Sequence, residues 1–242
     1  MYRVEDSYWW YRGMRKMART FVPELFRLGP QARLLDAGCG TGANLAHVRS
    51  EGSEAAAVGI DLSFDALRFC RKRGLKLLVC GSAEALPFRS GVFDAVTCHD
   101  VLYTVPRDEV ALAELFRVAK ERALVYVTAA AFDWLRGEQD RATHGLRRYT
   151  EAGMRSKMSR AGLAVERATY ANMALVVPVF LMRRLTTLLT AAPKDQEAVS
   201  EFHAARGPLN GILRAILGLE ARLAAHVRLP VGSTLIVRAK KI

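Results

Sequence analysis

The chain has 242 residues, of which 51% are hydrophobic, 25% charged and 8% aromatic, a composition typical of a globular protein that excludes a disordered or collagen-like chain. Its net charge is +12, and residues 131–242 hold 18 basic and 9 acidic side chains, whereas residues 1–130 hold 18 and 15. A positive electrostatic field attracts phosphorylated metabolites, anionic lipid headgroups or nucleic acid, and a net charge of this size also increases solubility.

The cysteines and the first residues indicate the compartment. Four scattered cysteines without a CxxC spacing favour neither a disulfide framework nor a zinc site, so we expect no metal. Glu5 and Asp6 stand where a signal peptide would carry its apolar core. The sequence therefore predicts a cytoplasmic protein.

The first half of the chain alternates short apolar runs with helical patterns. Continuous apolar strands separated by helices are typical of a parallel sheet that is covered on both faces. The predicted strands are 32–37, 56–61, 76–80, 93–98 and 122–129, and the predicted helices are 43–50, 64–73 (with Ser63 as N-cap) and 106–120.

The pattern changes after residue 131. Residues 133–149 lack periodicity and predict a long loop, which is followed by a helix from Thr150 to residue 160. Alternating residues at 163–170 and 233–240 predict two more strands. The roughly sixty residues between these strands are too many for a simple connection, so we interpret 171–230 as an inserted helical cap.

The strongest motif is the run LLDAGCGTG at 34–42, followed about twenty residues later by the acid Asp61. Glycines let the backbone turn sharply and approach a ligand, and the helix that follows offers backbone N–H groups. An acid at the tip of the second strand accepts hydrogen bonds from ribose hydroxyls. The motif predicts a nucleoside-bearing cofactor beyond the carboxyl ends of the strands.

Residues 38–43 (GCGTGA) also satisfy the pattern of dinucleotide-binding turns, so a nicotinamide dehydrogenase is an alternative. The longer run, with Asp36 before the glycines, resembles the motif of class I S-adenosylmethionine-dependent methyltransferases. Residues 81–88 (GSAEALPF) resemble that family's adenine-side loop, with Ser82 where Asp is usual, and the last two strands resemble its closing antiparallel pair. Neither this loop nor the closing antiparallel pair of strands is expected in a nicotinamide dehydrogenase.

The resemblance implies a Rossmann-like α/β fold with a seven-stranded sheet, helices on both faces and an antiparallel last strand. It implies that the glycine turn surrounds the methionine part of S-adenosylmethionine and that Asp61 holds the ribose. The residues expected at the cofactor are Asp36, Gly38, Cys39, Gly40, Asp61, Leu62, Ser82, Ala83, Glu84, His99, Tyr11 and Arg12.

The aromatic run at residues 8–12 (YWWYR) precedes the first strand. In the family that the chain resembles, an N-terminal helix often folds over the cofactor, and residues 1–29 look like such a lid. Arg12, Arg15 or Tyr11 would then reach the cofactor's carboxylate. The alternative is a helix whose Trp residues fasten it to the sheet.

Candidate acceptor-binding residues follow the fourth and fifth strands, where open parallel sheets place ligand contacts. His99 is the first candidate for a general base, and Tyr103 and His144 are further candidates. Arg147, Arg148 and Tyr149 are candidates for the acceptor pocket. The alternatives are that His99 only shapes the pocket through its backbone, that Tyr149 packs under the cap, and that both arginines are solvated.

Two apolar stretches of the cap, 174–182 and 212–227, are too short or too charged to span a bilayer. They would line an acceptor pocket, dock a second subunit, lie at a membrane surface, or simply bury one helix against the other. The predicted core therefore comprises residues 30–170 and 231–242.

The leading hypothesis is a methyltransferase that acts on O, N or C of a small hydrophobic or anionic acceptor, as a monomer or homodimer with possible peripheral membrane contact. A nucleic-acid methyltransferase is the alternative that the charge suggests, although the chain shows no basic tail and no Asn/Asp-Pro-Pro-aromatic motif. A non-catalytic cofactor-binding module is the third reading.

Overall fold

The computed structural model describes residues 4–176 and 208–242 together with residues 2, 178, 180 and 181, without the side chains of 138, 139 and 208. Residues 177, 179 and 182 of the apolar run at 174–182, and residues 183–207 of the predicted cap, therefore lie outside the described residues. The division of the chain into lid, core and cap stays a prediction.

A seven-stranded sheet forms the centre of the molecule, in the order β3-β2-β1-β4-β5-β7-β6. Strands β1 to β5 pair in parallel, and β7 pairs antiparallel with both β5 and β6. This is the predicted fold class with its reversed last strand. The strands are β1 (Arg33–Ala37), β2 (Ala56–Asp61), β3 (Leu77–Cys80), β4 (Phe93–His99), β5 (Ala119–Ala130), β6 (Leu163–Ala171) and β7 (Thr234–Lys241).

Helices cover both faces of this sheet, as predicted. They are α1 (Trp9–Phe21), α2 (Ala43–Ser50), α3 (Phe64–Lys72), α4 (Asp108–Val118), α5 (Glu138–Ala142), α6 (Glu151–Arg160) and α7 (Pro208–His226), with short 3-10 helices at Pro23–Arg27 and Asp133–Leu135. The two predicted N-caps are confirmed, because Ser63 Oγ accepts from Ala66 N and Thr150 Oγ1 accepts from Gly153 N.

Two predicted boundaries are wrong around residue 120. Helix α4 ends at Val118, and β5 begins at Ala119, three residues before its predicted start. Ala119 already pairs with Phe93, and the register then shifts before the pairing resumes. Arg122 has a φ of +61° in this irregular stretch, which sequence periodicity does not signal.

The prediction of one long loop at 133–149 is also wrong, since it contains a 3-10 turn and the short helix α5. Asp140 supports this helix, because its Oδ2 accepts from Gly137 N at 2.7 Å and its carboxylate binds Arg148. These polar contacts stabilise the short helix, whose sequence lacks the hydrophobic periodicity that a longer helix would show.

Apolar side chains form a core on each face of the sheet. One core packs α1, α2, α3 and α7 against the sheet and contains Met17, Phe21, Leu45, Cys70, Tyr126 and Ala221. The other packs α4 and α6 and contains Leu112, Leu115, Met154 and Met158. Helix α1 therefore contributes Met17, Ala18 and Phe21 to the core rather than its two tryptophans, which remain half-buried.

Helix α7 lies directly against α1. A Cβ atom at Gly13 would lie 2.1 Å from Leu217 Cδ2, so the missing side chain is what lets the two helices approach. Within the part of the chain that the structure describes, no helix combines the length and hydropathy needed to cross a bilayer.

Candidate active site

The glycine turn after β1 is held against the end of β2. The backbone N atoms of Gly38 and Cys39 donate to the carbonyl oxygen of Ile60, at 2.8 and 2.9 Å. A Cβ at Gly38 would lie 2.2 Å from Val101 Cγ2, whereas a Cβ at Gly40, where φ is +53°, would meet nothing within 4 Å. The turn is therefore packed on one side and leaves an open space above Gly40.

Asp61 joins this turn to the start of α3. Its carboxylate accepts from Gly40 N at 2.8 Å and from Ser63 N at 2.9 Å. These bonds fix the position of the acid at the tip of β2 beside the glycine turn. The exposed side chain of Leu62 follows it directly.

Asp36 is buried at the end of β1, behind the turn. Its Oδ1 accepts from Thr97 Oγ1 at 2.8 Å, and its Oδ2 has no hydrogen-bond partner. Burial raises the pKa of this carboxyl to about 7, because the charged form loses its hydration. The acid thus links β1 to β4 directly before the glycine turn.

The loop at 82–84 lies beyond β3. The backbone N of Glu84 donates to Ser82 Oγ at 3.1 Å, and Ala83 is buried. The carboxylate of Glu84 instead accepts from the backbone N of Arg107, which ties the loop to the residues before α4. The structure therefore gives Glu84 a role in holding this loop.

A cavity of about 340 Å³ opens on the glycine turn at the carboxyl edge of the sheet. Aromatic side chains form much of its wall, and its lining residues include Tyr8, Trp9, Trp10, Tyr11, Tyr103 and Tyr126. Of the residues that the sequence predicted for the site, the cavity brings together Tyr11, Gly38, Cys39, Gly40, His99, Tyr103 and Arg148.

His99 and Asp100 lie where β4 ends in this cavity. Burial lowers the pKa of His99 to about 4, so its imidazole is neutral at physiological pH but is a weaker base than an ordinary histidine. Burial raises the pKa of Asp100, and the residue has a φ of +56°, a conformation that Asp tolerates better than most residues. Burial also raises the pKa of Tyr103, to about 12, so its phenol stays protonated.

The sequence places Asp100 beside His99 after the fourth strand, where ligand contacts are expected, but it assigned Asp100 no role. Among the cavity carboxyls that the structure describes, Glu5 pairs with Arg73 and Asp140 pairs with Arg148, while Asp100 has no ion pair. Tyr126 and Thr128 were also missed. They share one face of β5, and within the described residues Tyr126 Oη has no hydrogen-bond partner.

The residues at 144–149 that were predicted for the acceptor pocket or as a base make other contacts in the structure. His144 is exposed and lies outside the cavity lining. Arg147 donates to the carbonyl oxygens of Leu102, Val105 and Pro106, and the Tyr149 hydroxyl donates to Asp108 at 2.7 Å. Both side chains hold neighbouring loops, because each donor is already occupied by protein.

Arg148 reaches the cavity wall but is paired there. Its Nε donates to Asp140 Oδ1 at 2.7 Å, its Nη2 donates to Asp140 Oδ2 at 3.0 Å, and its Nη1 donates to the Ala131 carbonyl. Both side chains are almost fully buried. Because the Asp140 carboxylate already accepts two hydrogen bonds from this guanidinium and neutralises its charge, Arg148 attracts an anionic ligand only weakly.

The N-terminal segment lines the cavity beside the glycine turn. Glu5 is buried, accepts a hydrogen bond from Thr41 and pairs with Arg73. Tyr11 and Arg15 line the cavity, whereas Arg12 is exposed and does not. Arg15 Nη2 donates to the Glu5 carbonyl at 2.8 Å, and its buried Nη1 has no partner.

The residues present fit the predicted cofactor. The open space above Gly40 gives the cofactor room beside the turn. The oriented carboxylate of Asp61 is able to accept hydrogen bonds from hydroxyl groups. Arg15 Nη1, which has no partner among the described residues, is able to donate a hydrogen bond to a carboxylate. Within the described residues, no group of three or more His, Cys, Asp or Glu side chains is placed to hold a metal ion.

Comparisons with known proteins agree with this geometry. Residues 35–127 match a family model described as a methyltransferase domain. Over 205 residues the chain is 30% identical to the malonyl-[acyl-carrier protein] O-methyltransferase of Laribacter hongkongensis. The aligned region covers 78% of this chain and 67% of that protein. Over 92 residues it is 37% identical to the fatty-acid O-methyltransferase of Mycolicibacterium smegmatis, which covers 36% of this chain and 33% of that protein.

Among solved structures, the geranyl diphosphate C-methyltransferase of Streptomyces coelicolor, in complex with Mg²⁺, geranyl diphosphate and S-adenosyl-L-homocysteine, shares the fold. Its TM-score is 0.59 at 14% identity, with 93% of this chain and 78% of that chain covered. The chain thus spans between a third and two thirds of the two curated relatives. On the sequence matches, the chain belongs to the family of S-adenosylmethionine-dependent methyltransferases, and S-adenosylmethionine is the cofactor that this membership implies.

Proposed function

We propose that the protein transfers the methyl group of S-adenosylmethionine to an oxygen, nitrogen or carbon atom of a small lipophilic acceptor. The observation that carries this proposal is the aromatic-lined cavity that opens directly on the glycine turn. When bound, the cofactor supplies a methyl group on a sulfonium, which an acceptor atom takes by in-line displacement. The protein's task is then to align the acceptor and to exclude water.

Four of the predicted cofactor residues bind the nucleoside part of the cofactor in this proposal. Asp61 accepts from the ribose hydroxyls, because the Gly40 and Ser63 amides already orient its carboxylate. Ser82 and the backbone of Ala83 contact the adenine, and the exposed Leu62 covers it. At the other end, Arg15 replaces Arg12 as the partner of the cofactor's carboxylate, since Arg15 lines the cavity and has a free N–H.

The character of the cavity favours an uncharged lipophilic acceptor over an anionic one. Trp9, Trp10 and Leu175 contribute to an apolar wall, while the guanidinium of Arg148 is occupied by Asp140. The names of the two curated relatives state a fatty acid and a malonyl group on a carrier protein. Both are acyl compounds that carry a carboxylate, so they support an acyl acceptor, whereas the preference for an uncharged one rests on the cavity wall alone. Closure of the cavity by residues 5–11 disfavours a nucleic-acid strand.

An acceptor that must lose a proton needs a base at the end of β4. We propose His99 or Asp100 for this task, since both line the cavity and neither is committed to an ion pair among the described residues. Tyr103 is a poor candidate because a pKa raised to about 12 keeps its phenol protonated at physiological pH. His144 lies outside the cavity and is removed from the proposal.

The four thiols are free, and this supports the proposal that the protein works in a reducing compartment such as the cytoplasm. Cys39 and Cys70 are unlinked, although their Sγ atoms lie only 3.9 Å apart. A reducing environment keeps such a pair as thiols.

Calorimetry with S-adenosylhomocysteine tests the cofactor assignment. The wild type is expected to bind, and Asp61→Ala is expected to bind roughly ten- to a hundredfold more weakly, because a hydrogen bond to a charged group is lost. Asp61→Asn keeps an acceptor oxygen for the glycine turn and separates ligand binding from folding. The exposed Asp65 on α3 provides the control substitution Asp65→Ala. Absence of binding by the wild type would overturn the proposal.

The acceptor class is tested by incubating the protein with methyl-labelled S-adenosylmethionine and cell extracts. Label is expected in the organic phase of a lipid extraction rather than in the aqueous metabolites or the nucleic acid. His99→Gln and Asp100→Asn should reduce the transfer if either residue takes a proton. Label confined to tRNA or DNA would instead establish the nucleic-acid alternative.

A further inference from the structure

Helix α7 exposes a continuous apolar stripe, which we call the α7 face. Its residues recur at helical spacing, so they lie on one side of the helix. Their exposed fractions range from 45% to 68%, and the residues are Leu209, Ile212, Leu219, Leu223 and Val227. The opposite side of the helix buries Leu217, Ala221 and Ala224, so the helix is anchored without the α7 face.

Basic side chains border this stripe on α1. Arg12 and Lys16 are one helical turn apart and exposed. Lys16 lies beside α7, since a Cβ at Gly218 would be 2.9 Å from its Nζ. Arg222 is exposed one turn further along α7, between Leu219 and Leu223 in sequence. The surface therefore combines an apolar stripe with positive charge along its edge.

The α7 face begins at the rim of the cavity. Asn210, in the first turn of α7, accepts from the backbone N of Trp9 at 2.8 Å and donates to the Ser7 carbonyl at 3.1 Å. Trp9 and Trp10 line the cavity. Leu209 and Ile212 are thus neighbours of the segment that closes the site.

We propose that the α7 face and its basic edge dock on an anionic lipid bilayer, from which the lipophilic acceptor reaches the cavity. Exposed apolar patches of this kind mark interaction surfaces, and a helix with basic flanks lies stably at an anionic membrane surface. A second copy of the chain is a poorer occupant, because two basic edges would face each other across such an interface. Acceptor delivery rests on the proposed function, whereas docking itself does not require it.

Vesicle sedimentation tests the docking with the full chain. The protein should sediment with phosphatidylcholine vesicles that contain phosphatidylglycerol, much less with phosphatidylcholine alone, and less as the salt concentration rises. The double variant Leu219→Glu/Leu223→Glu should lower the bound fraction by about tenfold or more. Lys16→Gln/Arg222→Gln should remove most of the preference for the anionic vesicles.

Leu77→Glu is the matched control, because Leu77 is a comparably exposed leucine (49%) on the edge strand β3. It should sediment like the wild type. The inference fails if the wild type does not bind the anionic vesicles, or if Leu77→Glu loses binding as fully as the α7 variant. It also fails if the wild type is a dimer that Leu219→Glu/Leu223→Glu makes monomeric without any vesicle binding. Binding of S-adenosylhomocysteine, measured on the same samples, reports separately on the proposed function.

Discussion

Arg73 and Glu5 form an ion pair, with Nη2 to Oε2 at 3.3 Å, that joins the C-terminal end of α3 to the N-terminal segment above the glycine turn. Arg73 also donates to Asp6 and to the Thr41 carbonyl. One side chain thus links the closing segment to the turn that it covers.

Arg73→Ala is expected to loosen this closure, because Glu5 loses its cationic partner while staying next to the turn. Dissociation of S-adenosylhomocysteine should accelerate by roughly tenfold, the value of one charged hydrogen bond, as measured by stopped-flow fluorescence of Trp9 and Trp10. Arg71→Ala, two residues away at an exposed site, should leave the rate unchanged. Equal rates for wild type and Arg73→Ala would show that the segment does not gate the cofactor.

Breaking the buried pair of Arg148 and Asp140 should destabilise the protein more than it changes ligand binding. Arg148→Met leaves the Asp140 carboxylate without its bidentate partner, at a cost of about 3–5 kcal/mol in the free energy of unfolding. Chemical denaturation measures this value. The half-exposed Arg136, which pairs with Asp133, supplies the control Arg136→Met, which should cost less than about 1 kcal/mol.

The pair allows a second check, since Asp140→Leu/Arg148→Met removes both charges. This double variant should recover part of the stability that Arg148→Met loses. A double variant that is less stable than the single one would mean that Asp140 acts mainly through Gly137 N.

Asp36 should make the free energy of unfolding depend on pH in an unusual direction. Its folded-state pKa of about 7 lies above the ordinary value of 3.8, so the native state binds the proton more tightly than the unfolded chain. The contribution to stability is present at low pH and is lost as the pH rises through about 7, by a few kcal/mol at most on the order expected for a buried carboxyl.

Asp36→Asn removes this titration while keeping an acceptor for Thr97. Urea unfolding at pH 5 and pH 8 should therefore show a larger loss for the wild type than for Asp36→Asn over this interval. Asp65→Asn, at an exposed carboxylate, should behave like the wild type. Parallel curves for wild type and Asp36→Asn would refute the raised pKa.

The conformation of Asp100 leads to a prediction about its substitutions. Because its φ is +56°, Asp100→Asn and Asp100→Gly should fold with nearly unchanged stability, whereas Asp100→Val should lose roughly 1–2 kcal/mol or more. Thermal unfolding distinguishes these variants. If Asp100→Asn keeps its stability but transfers less label to lipid extracts, the carboxyl acts in the reaction; if it transfers label normally, His99 remains the candidate base.

Local patterns accounted for the sheet, the glycine turn and the N-caps. Ser63 and Thr150 cap their helices through contacts within three residues, and the turn at 38–42 follows from its glycines. The roles of Arg147, Tyr149 and Glu84 were not predictable in this way, because their partners lie more than twenty residues away in sequence. A charged side chain near the site in sequence gives no sign that a distant carbonyl or carboxyl already occupies it.

The sequence by itself determined a parallel α/β fold and a glycine turn followed by an acid at the tip of the second strand, because hydrophobic periodicity and glycine spacing are local properties. The resemblance of its motifs to a methyltransferase family added the reversed last strand and the cofactor. Only the tertiary structure decided that Arg15 rather than Arg12 faces the cavity, that Arg148 is neutralised, and that Asp100 enters the cavity at the end of β4 with a φ of +56°. Those outcomes depend on how the helices pack across the sheet and on which buried charged groups come into contact. Burial then determines the pKa values of these groups and the energies of their ion pairs.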